Sequence, residues 1–239
     1  MKSPFTSTVL LLSLSLPLTL STTAQNESTS DATPPPVKQL SEHEFQLDQI
    51  TFNKKTRRIE FPGRINTRED LLEYLLVHKD GKTHESLLAT DISPFHLNIV
   101  MLLAGYKPGP GSLFDEPPVD PNQEKNIAPD PLAQVQFTVT WTTENEAPVT
   151  TRPETLILNR FTGDPMKPAP WQFNGSFVEN GQFQAELEGS IAAVYLDRWA
   201  MFNSTRPGNN DDLRWQPILE KLPPKNTPVT IVIEPFTDQ

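Results

Sequence analysis

Twenty-five prolines are spread through this chain, and they limit its fold more than any other feature. Each proline removes a backbone donor and clashes with a helix interior. Long helices therefore have few places to form, and stiff surface loops have many. The 13 phenylalanines, 4 tryptophans and 3 tyrosines still fill a sizeable core, more than a disordered chain carries. A chain of 239 residues has room for roughly one or two domains.

The N-terminus reads as an export signal. Lys2 supplies a positive start, Val9 to Leu20 is a short apolar run, and Thr22-Thr23-Ala24 places small residues before Gln25. The run is shorter than the ~20 apolar residues of a membrane span. Cleavage is expected between Ala24 and Gln25, with no stable membrane insertion afterwards. A periplasmic or extracellular location in a bacterium follows from this signal and from the missing cysteine. Without cysteine there is no disulfide, thiolate nucleophile, iron–sulfur ligation or cysteine-type zinc site.

Acidic residues number 30 and basic residues 20. Such a surface repels phosphate polymers and anionic membranes, so nucleic acid is not an expected partner. The basic cluster Lys54, Lys55, Arg57, Arg58 reads as a solvated hairpin tip. The sequons at Asn26, Asn174 and Asn203 are taken as chance.

Gln25 to about residue 43 is polar and contains Pro34-Pro35-Pro36, so it is a linker. The fold is expected from Glu44 to Gln239. Ile50, Phe52, Ile59 and Phe61 alternate around Asn53–Arg58, a hairpin that Pro62-Gly63 ends. Leu71–His78 and Thr83–Thr90 flank Asp80-Gly81, a strong hairpin signal. That turn favours strands over a helix capped at Asn66–Glu69. Ser93, Pro94 and Gly105 bound one helix, residues 93–104, which is apolar nearly all round and so buried on most sides. Residues 107–131 form a long polar connection. Strands are expected at Val135–Trp141, Glu154–Asn159, Trp171–Phe177, Phe183–Glu188, Ile191–Leu196 and Val229–Ile233. Asn180-Gly181 marks a hairpin turn, and Arg198–Asn203 a helical turn. The class is α+β: mostly antiparallel hairpins, one buried helix, and a second half that is mainly β.

Gly81-Lys82-Thr83-His84-Glu85-Ser86, Ser93-Pro94-Phe95-His96-Leu97 and Leu102-Leu103-Ala104-Gly105 together resemble the YdjY domain family. Trp171-Gln172-Phe173-Asn174-Gly175-Ser176 and Glu188-Gly189-Ser190-Ile191 are similar to the exported bacterial members of that family. The resemblance spans about residues 44–236. It implies no established activity, and an iron–sulfur role is closed to a chain without cysteine.

The candidate patch is Lys82, His84, Glu85, Ser86 and His96. In a two-residue hairpin, His78 and Glu85 are diagonal neighbours and form a structural pair. The rival reading gathers His84, His96 and Glu73 as metal ligands. Asn209-Asn210-Asp211-Asp212 is oxygen-rich but lacks calcium-loop periodicity. The tryptophans read as core residues before sugar platforms. No serine-nucleophile or phosphate-loop motif occurs, and no cofactor is expected. The leading expectation is an exported, non-enzymatic domain that binds a protein or an envelope polymer. The alternative is a metal-binding protein or metal-dependent enzyme.

Overall fold

A computed structural model describes residues 35–114, 130–143 and 145–237. The signal segment, the Ala24–Gln25 junction, the linker up to residue 34 and residues 115–129 of the long connection lie outside the described residues.

The first half contributes β1 (Lys38–Gln39), β2 (Glu44–Leu47), β3 (Ile50–Asn53), β4 (Ile59–Ile65), β5 (Tyr74–His78) and β6 (Ser86–Thr90), then helix α1 (Pro94–Leu103). The second half contributes β7 (Gln134–Thr142), β8 (Pro148–Thr151), β9 (Ile157–Asn159), β10 (Trp171–Phe173), β11 (Val178–Glu179) and β12 (Gln182–Phe183). Helix α2 (Gln184–Glu188) follows, then β13 (Ser190–Ala193), β14 (Phe202–Ser204), β15 (Trp215–Pro217) and β16 (Pro228–Pro235).

Eight of these strands close on themselves in the order β4-β16-β7-β10-β14-β13-β5-β6, with β6 returning to β4. This closed barrel overturns the α+β expectation: the fold is mostly β, and the described residues hold only two α-helices. The sheet continues past β4 into β3, β2 and β1, and β8 flanks β7. The sheet thus starts at Lys38, ahead of Glu44. Along β7, Val135, Phe137, Val139 and Trp141 are buried while the residues between them are partly exposed, so the buried face is the barrel interior. Ile59, Phe61, Ile231, Ile233, Trp171, Phe173 and Phe202 fill the same core. Phe137 meets Trp171 and Phe202 edge-on at 5.7 and 5.3 Å between ring centroids. Eight strands is the size at which side chains alone fill such an interior.

Several expectations are corrected by non-local contacts. Pro62-Gly63 does not end a hairpin but lies inside β4. The Pro62 carbonyl accepts from Thr90 Oγ1, so its missing N–H faces the side where β4 passes from β3 to β6, a place where proline removes no ladder bond. Asp80-Gly81 does not make a hairpin either. β5 and β6 run parallel, pairing Tyr74 with Ser86 and His78 with Thr90. Lys79–Glu85 runs back along β5, and Thr83–Glu85 forms a 3-10 turn. Gly81 is used instead for contact: a Cβ on Gly189 would lie 2.7 Å from Gly81 Cα. Phe183–Glu188 is not a strand. Gln184-Ala185-Glu186-Leu187-Glu188 are good helix formers, and Gly189 stops the helix in the left-handed region at φ 67°. Glu154–Asn159 begins with a 3-10 turn at Pro153–Leu156. Arg198–Asn203 ends in β14, not a helical turn.

α1 begins where expected. Pro94 is its first residue, and the Ser93 hydroxyl accepts from the His96 N–H. Its burial differs from the expectation. Leu97, Val100 and Met101 are buried, but Phe95, Leu102 and Leu103 are exposed. α1 and α2 pack together at one rim of the barrel, the rim where β5 and β6 end and β7 begins.

Candidate binding groove

The sequence-flagged block comes apart in three dimensions. Lys82 Nζ donates to the Tyr74 hydroxyl at 2.8 Å, and that hydroxyl donates to Asp197 Oδ2 at 2.8 Å. Ser86 Oγ donates back to the Lys82 carbonyl. These bonds fasten the short parallel connection onto β5. Burial and the Asp197 carboxylate push the Tyr74 phenol well above the usual tyrosine range, although the neighbouring Ser190 hydroxyl works the other way. Tyr74 therefore stays protonated at neutral pH and cannot serve as a base. Ser190 Oγ is buried and completes no hydrogen bond of its own.

His84 is exposed and lies 3.5 Å from the Glu85 carboxylate. The expected His78–Glu85 pair does not form, because the strands are parallel. His78 sits 3.5 Å from Asp80 instead. His96 is elsewhere, 3.6 Å from Asp48. Glu73 does share the neighbourhood of His84 and Glu85, but His96 does not join them. Among the described residues no group of three or more histidines and carboxylates is placed to hold a metal. Asp211 and Asn209 spend their side chains on Arg214 and the Ser204 carbonyl. Asn203 is fully buried, so its sequon is closed to a glycan.

Burial, then the nearby Glu85 carboxylate, raises the Glu73 pKa. A carboxyl with a raised folded pKa costs stability once pH climbs past its unfolded value. Glu73→Gln is therefore expected to raise the melting temperature at pH 7. The gain should vanish below the ordinary glutamate pKa, where both states are protonated. A pH series of thermal melts checks this.

One polar cluster was invisible in the sequence. Glu154 is fully buried. Its Oε1 accepts from Arg206 at 2.6 Å and from Trp171 Nε1 at 3.0 Å. Arg206 also donates to the Lys167 and Ala169 carbonyls and lies over the Trp171 ring. Burial pushes its guanidinium down to about 10, so it remains charged at neutral pH and needs Glu154. No local pattern signals a pair 52 residues apart. This cluster holds the 167–170 segment against the barrel.

The groove lies at the other rim, where β7 ends and β16 begins. Trp141 and Val149 face each other across β7 and β8. Leu222, Pro223 and Pro224 form the opposite apolar wall. The groove encloses about 670 Å³, within the range of ligand sites. Its rim carries Thr142, Thr143, Asn145, Thr227 and Lys221, whose ammonium donates to the Thr155 carbonyl. Thr143 and Thr227 donate to the carbonyls of Ala147 and Pro224. Among the described residues the side chains of Thr142 and Asn145 have no partner, so they are free to bond a ligand. Trp141, Trp171 and Trp215 are buried, so the groove has no flat tryptophan platform of the kind that stacks on sugars. Sequence reasoning missed it because its two walls are about 80 residues apart, and each reads locally as a strand end or a proline turn.

The fold defines a class: a closed eight-stranded β-barrel with an open groove at one rim. The family model of the YdjY domain matches residues 50–234. The chain belongs to the YdjY domain family. No curated protein and no solved structure matches it.

Proposed function

We propose that this is an exported, non-enzymatic domain that binds an extended apolar segment of a partner protein in the Trp141–Leu222 groove. The single observation that carries the reading is the groove's composition. Its floor is apolar, its one charged described residue, Lys221, donates to the Thr155 carbonyl, and its described lining has no carboxylate or histidine to pair with that lysine as acid and base. A peptide suits this lining, placing apolar side chains on the floor and amides against Thr142 and Asn145. Export is supported by the signal-like residues 1–24 and by a core that stands without disulfides.

Selection of a displayed random peptide library on the mature protein tests the reading. Apolar peptides should be recovered. Val149→Asp should abolish their binding; because Val149 packs against the core, the substitution should also cost about 1–2 kcal/mol of stability, with the variant still folded by circular dichroism. Failure to recover binders, or binders indifferent to Val149→Asp, would overturn it.

A further inference from the structure

α1 presents a mismatch between sequence and environment. A helix that is apolar nearly all round is normally covered on all sides, yet this one is covered on one side only. Phe95 is 41% exposed, Leu102 50% and Leu103 39%. With the half-buried Ile99 between them, these residues follow helical spacing along one outward stripe. The stripe continues beyond the helix. The Phe95 ring packs against Phe183 with centroids 5.8 Å apart, and Phe183 is paired with Val178, itself 65% exposed. Leu187 on α2 is also exposed. Contiguous apolar surface of this kind marks an interaction site.

The charges around the stripe say what covers it. At the N-terminal end of α1, Glu186 accepts from the Ser93 hydroxyl and the Phe95 N–H, with Glu188 following on α2, while Asp91 just before the helix is already paired with Arg64 at 2.9 Å. At the C-terminal end the rim is basic. The Arg57 side chain approaches Gly105 and stacks on Tyr106, its turn carries exposed Lys54 and Lys55, and exposed Lys107 follows the helix. The face is acidic at one end and basic at the other. Such a surface is self-complementary under a two-fold axis, which lays α1 antiparallel to its copy and brings each acidic end onto a basic one. A net charge of −10 otherwise opposes self-association. The basic cluster, a solvated tip in the single chain, gains a role at this contact.

We infer that two copies of this chain pair through the outer face of α1, antiparallel about a two-fold axis. This surface is distinct from the groove, which lies at the opposite rim and stays open in the pair. The test is light scattering coupled to size-exclusion chromatography on the full mature chain at roughly 50 μM, where a dimer of micromolar Kd is populated. The wild type should run as a dimer. Leu102→Asp should run as a folded monomer with an unchanged circular dichroism spectrum. Lys55→Glu combined with Lys107→Glu should weaken the dimer roughly tenfold at low salt, the loss shrinking as salt screens the charges. A monomeric wild type overturns the inference, and so does a dimer that survives Leu102→Asp. A dimer indifferent to the double charge reversal overturns the antiparallel arrangement.

Discussion

Glu154→Ala is expected to cost about 3–5 kcal/mol, the usual penalty for stripping the partner from a buried charge. Arg206 is only 5% exposed, so it cannot turn to water once Glu154 is gone. Trp171 Nε1 loses its acceptor in the same step. Arg206→Ala should be similarly harmful, because it leaves the Glu154 carboxylate fully buried with one neutral donor, Trp171 Nε1, and only the 3.9 Å approach of Arg152 Nε for its charge. Replacing both residues by apolar side chains of similar size should cost less than the two single losses added, since neither charge is then stranded. Urea unfolding of the three variants reads this directly. Equal and small losses in both single variants would show the pair to be solvated in solution.

Gly189→Ala should be the most damaging exchange of a single hydrogen for a methyl group. Two penalties combine. At φ 67° an L-residue loses about 1–2 kcal/mol against glycine. The new Cβ would also lie 2.7 Å from Gly81 Cα and 2.9 Å from Gly81 N. Both contacts are backbone, so the connection Lys79–Glu85 must shift, at a further cost of about 1–3 kcal/mol. Gly181→Ala is the control. Its φ is 78° but nothing lies within 4 Å of its added Cβ, so only the first penalty, about 1–2 kcal/mol, applies. Thermal melts should therefore rank Gly189→Ala well below Gly181→Ala. Equal losses would mean that the Gly81–Gly189 contact is not tight.

The same contact explains what the sequence could and could not reveal. Local signals were readable wherever one segment decides its own structure: the Phe52–Ile59 hairpin, the Ser93-Pro94 start of α1, the alternation along β7 and the Asn180-Gly181 turn. Asp80-Gly81 carried an equally strong turn signal and misled, because the need for Gly81 comes from Gly189, over a hundred residues later. Barrel closure rests on Ile65 and Arg64 meeting Leu88 and Ala89, a pairing that no periodicity announces. The blocks that resembled the family are joints of this kind. Gly81 abuts Gly189, Lys82 reaches Tyr74, and Glu186 anchors the start of α1. They carry backbone contacts and internal hydrogen bonds, and the geometry does not gather His84, His96 and Glu73 at one point. His84 remains exposed beside Glu85, and His96 is committed to the neighbourhood of Asp48. The groove was illegible for a related reason: Trp141 reads as an ordinary strand residue until Leu222 and Pro223 are placed opposite it.

Hydrogen–deuterium exchange of the mature chain, with and without a library-selected apolar peptide, tests the central claim most directly. Ligand-dependent protection is expected at the end of β7, in β8 and across residues 221–227, with the 82–86 block unchanged. Protection confined to residues 82–86 would contradict it, and would return the functional site to the block assigned here to structure.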